Sequence, residues 1–298
     1  MSRRRWAAAV ALAGALALSG CTSDPNRRPP TESTVPDPAV MVRDMTRKVD
    51  AGQLYRDPSG SEAQIAKDAV LRLLDAPATP AGYESAFAGL GFRTVTGTDP
   101  VTSRPYLLLL GERGTERSWG AILVDRSVPV SLVVEVPHTG FDLNTDVIGM
   151  AEFRARPGAV LLVAGAHRNA AGGLADVAHN DRSLFHALTT ALAGRGLPQV
   201  QLHGFADESL PDWDVVVSVG AAGVLAQARA VSDALTTAGF DVCRAWERQC
   251  GKLEGNNNVQ GRAAAQLGQV FVHVEISNSN RGDADSRARI VEALAHAM

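Results

Sequence analysis

The chain has 298 residues, 45% of them hydrophobic, enough apolar material to build one large domain or two small ones. Lysine and arginine number 29 against 32 acids, a net charge of −3, so no basic excess points to a nucleic-acid partner.

The first 21 residues read as a targeting segment. Arg3, Arg4 and Arg5 form a basic start, Trp6 to Leu18 an apolar stretch, and Leu18-Ser19-Gly20-Cys21 a small-residue cleavage point. That tetrapeptide resembles the lipobox of bacterial lipoproteins, which implies that Cys21 carries lipid and anchors the chain at the extracytoplasmic face of the cell membrane. The apolar stretch is shorter than the roughly 20 residues of a spanning helix. Residues 22–39, rich in Pro, Ser, Thr and charge, read as a flexible tether, which leaves 40–298 as a single α/β domain. In an oxidising compartment Cys243 and Cys250 are expected to pair as a disulfide.

Along the domain, helical patterns at 62–76 and 81–90 precede strand-length apolar runs at 106–111, 119–125 and 131–138. A helix over 145–155 leads to the run 159–167, a helix over 181–194 to the runs 200–205 and 214–220, and a helix over 223–238 to the irregular stretch 243–261. The run 270–277 and a helix over 284–297 close the chain. In the helix over 181–194, Leu184, Phe185, Leu188 and Leu192 recur at helical spacing. Several strand runs are apolar throughout rather than alternating, as strands covered on both faces are. The pattern predicts an α/β fold with a mixed, largely parallel central sheet and helices on both faces.

Open sheets of this kind bind ligands beyond the carboxyl ends of their strands. Four runs end on, or close to, a group able to do chemistry: His138, His167, His203 and Glu275. Histidine and carboxylate are ordinary zinc ligands, and a hydrolytic zinc needs three of them plus an open position. His138 and Asp142 offer two from one turn and His203 a third, with Glu275 as the acid/base for the attacking water and the leaving amine. Asp142 also fits an N-cap of the helix that follows, Asp146 is a second acid within reach, and His203 fits a satisfied core histidine.

Between 166 and 188 a Gly/Ala-rich loop gathers His167, Arg168, Asn169, Asp176, His179, Asn180, Asp181 and Arg182. Arg168 and Arg182 suit a bidentate grip on a carboxylate, and Asp181 or Asn180 suits the cap of the following helix. Asn258, in the "NNNVQG" stretch, offers an amide either to a peptide-like substrate or to the shaping of a turn. His186 reads as structural and His296 as exposed.

In order and spacing, "VPHTG", "AHRN…ADVAHN", "QLHGF" and "VHVEIS" followed by Arg281 resemble the blocks of the N-formylglutamate amidohydrolase family. That family belongs to the zinc-carboxypeptidase-like hydrolases, with the phage-type poly-γ-glutamate hydrolases and the succinylglutamate desuccinylases. The resemblance covers about half the chain, 130–281. It implies one catalytic zinc on His138 and His203, Glu275 as general acid/base, and a substrate carboxylate held by an arginine among Arg168, Arg182 and Arg281. Asp176 and His179, in the same loop, are further candidates for the substrate, although the block around Asp176 departs from the family's pattern. Its acidic ligand would fall at Phe141, so Asp142 departs from the pattern by one position. The expected activity is cleavage of an amide next to a carboxylate-bearing group in a small peptide or N-acyl amino acid. The alternative is a lipid-anchored protein that binds such a ligand without turnover.

Overall fold

Runs of Leu, Val and Ile with no polar alternation fold as strands that are buried along their length. The computed structural model describes residues 37–75, 82–223 and 225–298. Cys21, the targeting segment and the tether as far as residue 36 lie outside the described residues.

The elements follow in the order α1 (Pro38–Thr46), α2 (Gly60–Asp75), α3 (Tyr83–Gly89), β1 (Phe92–Thr98), β2 (Pro105–Gly111), β3 (Ala121–Asp125), β4 (Leu132–Val136), α4 (Thr145–Ala155), β5 (Ala159–Val163), α5 (Leu184–Gly194), β6 (Gln199–Phe205), β7 (Val215–Ser218), α6 (Ala226–Thr237), β8 (Val242–Arg244), α7 (Val259–Gln266), β9 (Phe271–Ser277), α8 (Asn278–Gly282) and α9 (Ala284–Ala297). Local chemistry sets the ends. Asp37 accepts from the Ala39 amide at 2.8 Å and Pro38 occupies the first turn of α1, so helix begins inside the stretch read as tether. Ser59 and Glu62 exchange side-chain and backbone hydrogen bonds as a capping box at the start of α2. Ser183, and neither Asn180 nor Asp181, caps α5, accepting from the His186 amide at 3.0 Å.

All nine strands form one sheet in the order β1-β2-β3-β5-β4-β6-β9-β7-β8. The four central strands, β5, β4, β6 and β9, run parallel to one another. Antiparallel pairs join β3 on one side and β7 on the other. The helices cover both faces. One face packs Leu132, Val134, Val136, Val200, Leu202, Val272, Val274 and Ile276 against α1, α4, α6 and α9. The opposite face packs Val133, Val160 and Leu162 against α2, α3 and α5.

On that second face the apolar pattern stops at the middle of the sheet. Strand alternation puts Glu135, Gln201, His203, His273 and Glu275 there, opposite the valines and leucines just named. Glu135 stands beside Gln201, Gln201 beside His273, and His203 beside Glu275 in register. Five buried polar side chains on three adjacent strands form a polar patch inside an otherwise apolar layer.

Candidate metal centre

His138 lies two residues past β4, in a turn closed by hydrogen bonds from the Phe141 and Asp142 amides to its own carbonyl. The Thr139 hydroxyl pins the turn to the Ala164 carbonyl at 2.7 Å. This turn brings Asp142 back under the His138 ring, while the cap position of α4 is held by Asn144, with φ of 67°. Asp142 is therefore not the helix cap. Asp146 accepts from the Thr46 hydroxyl of α1 at 2.7 Å and joins none of the clusters of ligand-type atoms among the described residues.

His203, near the end of β6, completes a triangle. His138 Nδ1 lies 3.1 Å from Asp142 Oδ2 and 3.1 Å from His203 Nδ1, and His203 Nδ1 lies 3.4 Å from the same Asp142 oxygen. Zinc–ligand bonds of about 2.0–2.1 Å at tetrahedral angles place ligand atoms roughly 3.3 Å apart. The spacing therefore matches one face of a zinc tetrahedron, and all three residues are at most 3% exposed.

The protons support the same reading. His138 directs Nε2 at an Asp176 carboxylate oxygen at 2.9 Å, and His203 directs Nε2 at the Gln201 Oε1 at 2.6 Å. With each distal nitrogen donating, both Nδ1 atoms of the neutral rings turn a lone pair toward the Asp142 carboxylate. The space among these three electron-rich atoms suits a cation: a metal ion or, without one, a proton on His138 Nδ1. Burial opposes charging of His138, yet its bonds to Asp142 and Asp176 outweigh this and raise its pKa. Burial, with the neighbouring His138, lowers His203 to about 4. Burial would raise Asp142, but its bonds to the two histidines hold it well below the usual carboxylate range.

Glu275 stands next to His203 in register, 9% exposed, with one carboxyl oxygen lacking a protein partner among the described residues. Burial, and then the Asp142 charge, raise it to about 8. A carboxyl that titrates close to neutrality can take a proton in its ionised form and return it to a leaving group once protonated. His273, which the sequence reading passed over, lies two residues before Glu275 on the same strand face. Its ring sits 4.6 Å from that of His203, and its Nε2 is 4.0 Å from Glu275. Strand alternation counted back from Glu275 was the signal that could have found it.

Two other groupings bring ligand-type atoms within 4.8 Å of one another: His138, Asp176 and His179, and His203, His273 and Glu275. In the first, the Arg168 guanidinium already engages Asp176 at 2.5 Å. In the second, both His203 nitrogens are directed elsewhere.

The expected substrate-binding residues divide. Arg168 is at the centre, 3.3 Å from His138 Nδ1 and over the half-exposed Phe141 ring at 5.1 Å. Asp176 orients His138 and pairs with Arg168, and the exposed His179 joins it at 3.1 Å. Arg182 reaches Asp57 at 3.3 Å and lines a different hollow, with Lys67 and His186. Asn258 is buried and caps α7, accepting from the Gly261 amide at 2.9 Å, so it is not at hand for a substrate.

Arg281 is likewise no carboxylate binder. Its guanidinium, 4% exposed as a residue, donates to the carbonyls of Ile276, Leu143 and Phe205 at 2.9, 2.5 and 3.1 Å. It thereby fastens the ends of β9 and β6 to the turn carrying Asp142. Gly204 makes room for it: a Cβ there would sit 2.2 Å from Arg281 Nε. Cys243 and Cys250 form the expected disulfide, with Cα atoms 6.1 Å apart.

No family model matches the chain, and neither does any curated protein. Solved structures with distant likeness include a bacteriophage poly-gamma-glutamate hydrolase, 18% identical, covering 59% of this chain and 86% of its own, with a TM-score of 0.42. Zinc-free YndL is 16% identical over 59% of this chain and 87% of its own, with a TM-score of 0.40. A metallo-carboxypeptidase from Pseudomonas aeruginosa is 15% identical over 81% of this chain and 68% of its own, with a TM-score of 0.39.

Proposed function

We propose that the chain is a zinc-dependent amidohydrolase, anchored to the membrane through lipid on Cys21, that cleaves an amide beside a carboxylate-bearing group. The observation that carries this is the triangle of Nδ1, Nδ1 and Oδ2 atoms at tetrahedral spacing, with both distal ring nitrogens donating elsewhere.

Zinc held by His138, Asp142 and His203 would supply Lewis acidity toward the scissile carbonyl and make water acidic enough to attack near neutral pH. Glu275 takes a proton from the attacking water as its oxygen bonds to the carbonyl carbon, then delivers it to the nitrogen as the carbon–nitrogen bond breaks. Asp176 keeps the His138 ring in orientation. Arg168, the cation nearest the centre, attracts a substrate carboxylate, and the exposed Phe141 beside it offers an apolar surface.

Metal analysis of the full chain is expected to give close to one zinc per molecule, and His138→Ala and His203→Ala to lose it. Full occupancy in both variants would sink the metal centre. Against N-acyl amino acids, γ-glutamyl amides and cell-wall peptides, Glu275→Gln should retain zinc and lose roughly 100-fold or more in turnover. Zinc binding with no hydrolysis of any of these by the wild type would favour the non-catalytic ligand-binding alternative.

A further inference from the structure

His203 meets the centre with Nδ1 only if its proton stays on Nε2, and the structure holds a chain of amides that dictates this. The chain begins at two backbone groups whose roles have no ambiguity. The Gly261 N–H can only donate, and it donates to Asn258 Oδ1 at 2.9 Å. The other end of that amide, Asn258 Nδ2, must therefore face Gln201, whose oxygen it meets in a short contact. The Val177 carbonyl can only accept, and it accepts from Gln260 Nε2 at 2.8 Å. Gln260 Oε1 is thereby turned toward Gln201 Nε2, 3.3 Å away.

Both anchors fix Gln201 the same way round: oxygen toward Asn258 and His203, nitrogen toward Gln260 and the Glu135 carboxyl at 2.6 Å. All five residues are at most 3% exposed, so no bulk water can replace a lost partner. An amide oxygen 2.6 Å from His203 Nε2 requires a proton on that nitrogen.

We propose that Gln201 is a positioning residue, aligned by the Asn258 helix cap, that sets the His203 tautomer and so presents the Nδ1 lone pair to the metal. The proposal rests on the metal-centre reading above. It assigns Asn258 and Gln260 to the support of His203, and it gives Glu135, Gln201 and His203 of the buried polar layer a shared use.

The test has two readouts. Ring nitrogen NMR of the metal-free full chain is expected to show His203 with Nε2 protonated and Nδ1 bare. Asn258→Asp keeps a capping oxygen on α7 but removes the donor that aligns Gln201, and Gln201→Leu removes the acceptor. Both should move His203 toward the Nδ1-protonated form and weaken zinc binding roughly 10- to 100-fold in chelator competition, with the circular dichroism spectrum unchanged. A wild-type His203 protonated on Nδ1 overturns the proposal, as do variants with wild-type tautomer and zinc affinity. If the variants fail to fold, the wild-type spectrum decides alone. If the wild type binds no zinc, the metal-centre reading falls and the same spectrum still decides what Gln201 does.

Discussion

Two acids lie within reach of the first histidine, and they do different work. Asp142 Oδ2 touches both His138 and His203, whereas Asp146 takes a hydroxyl from α1. Asp142→Asn should therefore cut zinc affinity by at least 10-fold, and Asp146→Asn should leave it within a factor of two; titration against a chromophoric chelator measures both. That His138, His203 and Glu275 come together at one buried edge of the sheet was legible in the sequence, because a polar side chain at the end of an apolar strand is costly without partners. Asp142 was legible as a candidate, and the sequence left its role as ligand or cap open. The structural work of Asn258 and Arg281 was not legible, for one shared reason. Their partners are backbone groups, the Gly261 amide in one case and three carbonyls in the other, and backbone geometry leaves no mark in residue type.

Among the elements, α4 carries a liability of its own. Glu152 is fully buried in it, and neither carboxyl oxygen has a protein partner among the described residues. Burial, partly offset by Arg156, raises its pKa from 4.5 to about 8. Below pH 4.5 the group is neutral in folded and unfolded chain alike; between 4.5 and 8 only the unfolded chain ionises, so stability falls as pH rises. The loss attributable to Glu152 is on the order of 4 kcal/mol across that window. Glu135, also raised to about 8, slopes the same way, so the informative quantity is the difference between wild type and Glu152→Met in denaturant unfolding at pH 5 and pH 8. The variant should gain stability at pH 8 and little at pH 5; equal gains at both would exclude the ionisation account. The strands with continuous apolar runs were readable at this scale, being covered on both faces. Two strands were not: β1, "FRTVTGT", is half exposed at the sheet edge, and β8 has only three residues. The start of α7 was hidden behind three asparagines, since only the last of them is the cap.

For the molecule as a whole, the middle of one sheet face is given over to polar groups, so that layer contributes less hydrophobic stabilisation than its apolar neighbours. A metal bound at the proposed centre would compensate by mass action. Free zinc at 100 times its dissociation constant should stabilise the folded chain by about 2.7 kcal/mol, read as a rise in Tm that a chelator reverses and His138→Ala does not show. An identical rise in that variant would place the stabilising zinc elsewhere.

The strand order carries one more consequence, in the timing of assembly. His138 and Asp142 both precede the start of α4, but His203 arrives only when β6 lies against β4, and Glu275 only when β9 lies against β6. Between the first ligand and the third the chain must complete β5, α5 and their connections, a long loop whose closure is slow relative to local structure. On the proposed function, a nascent chain would gain its metal ligands before its acid/base. Competence to bind and competence to turn over would then arise as separate events, each marking the docking of one particular strand.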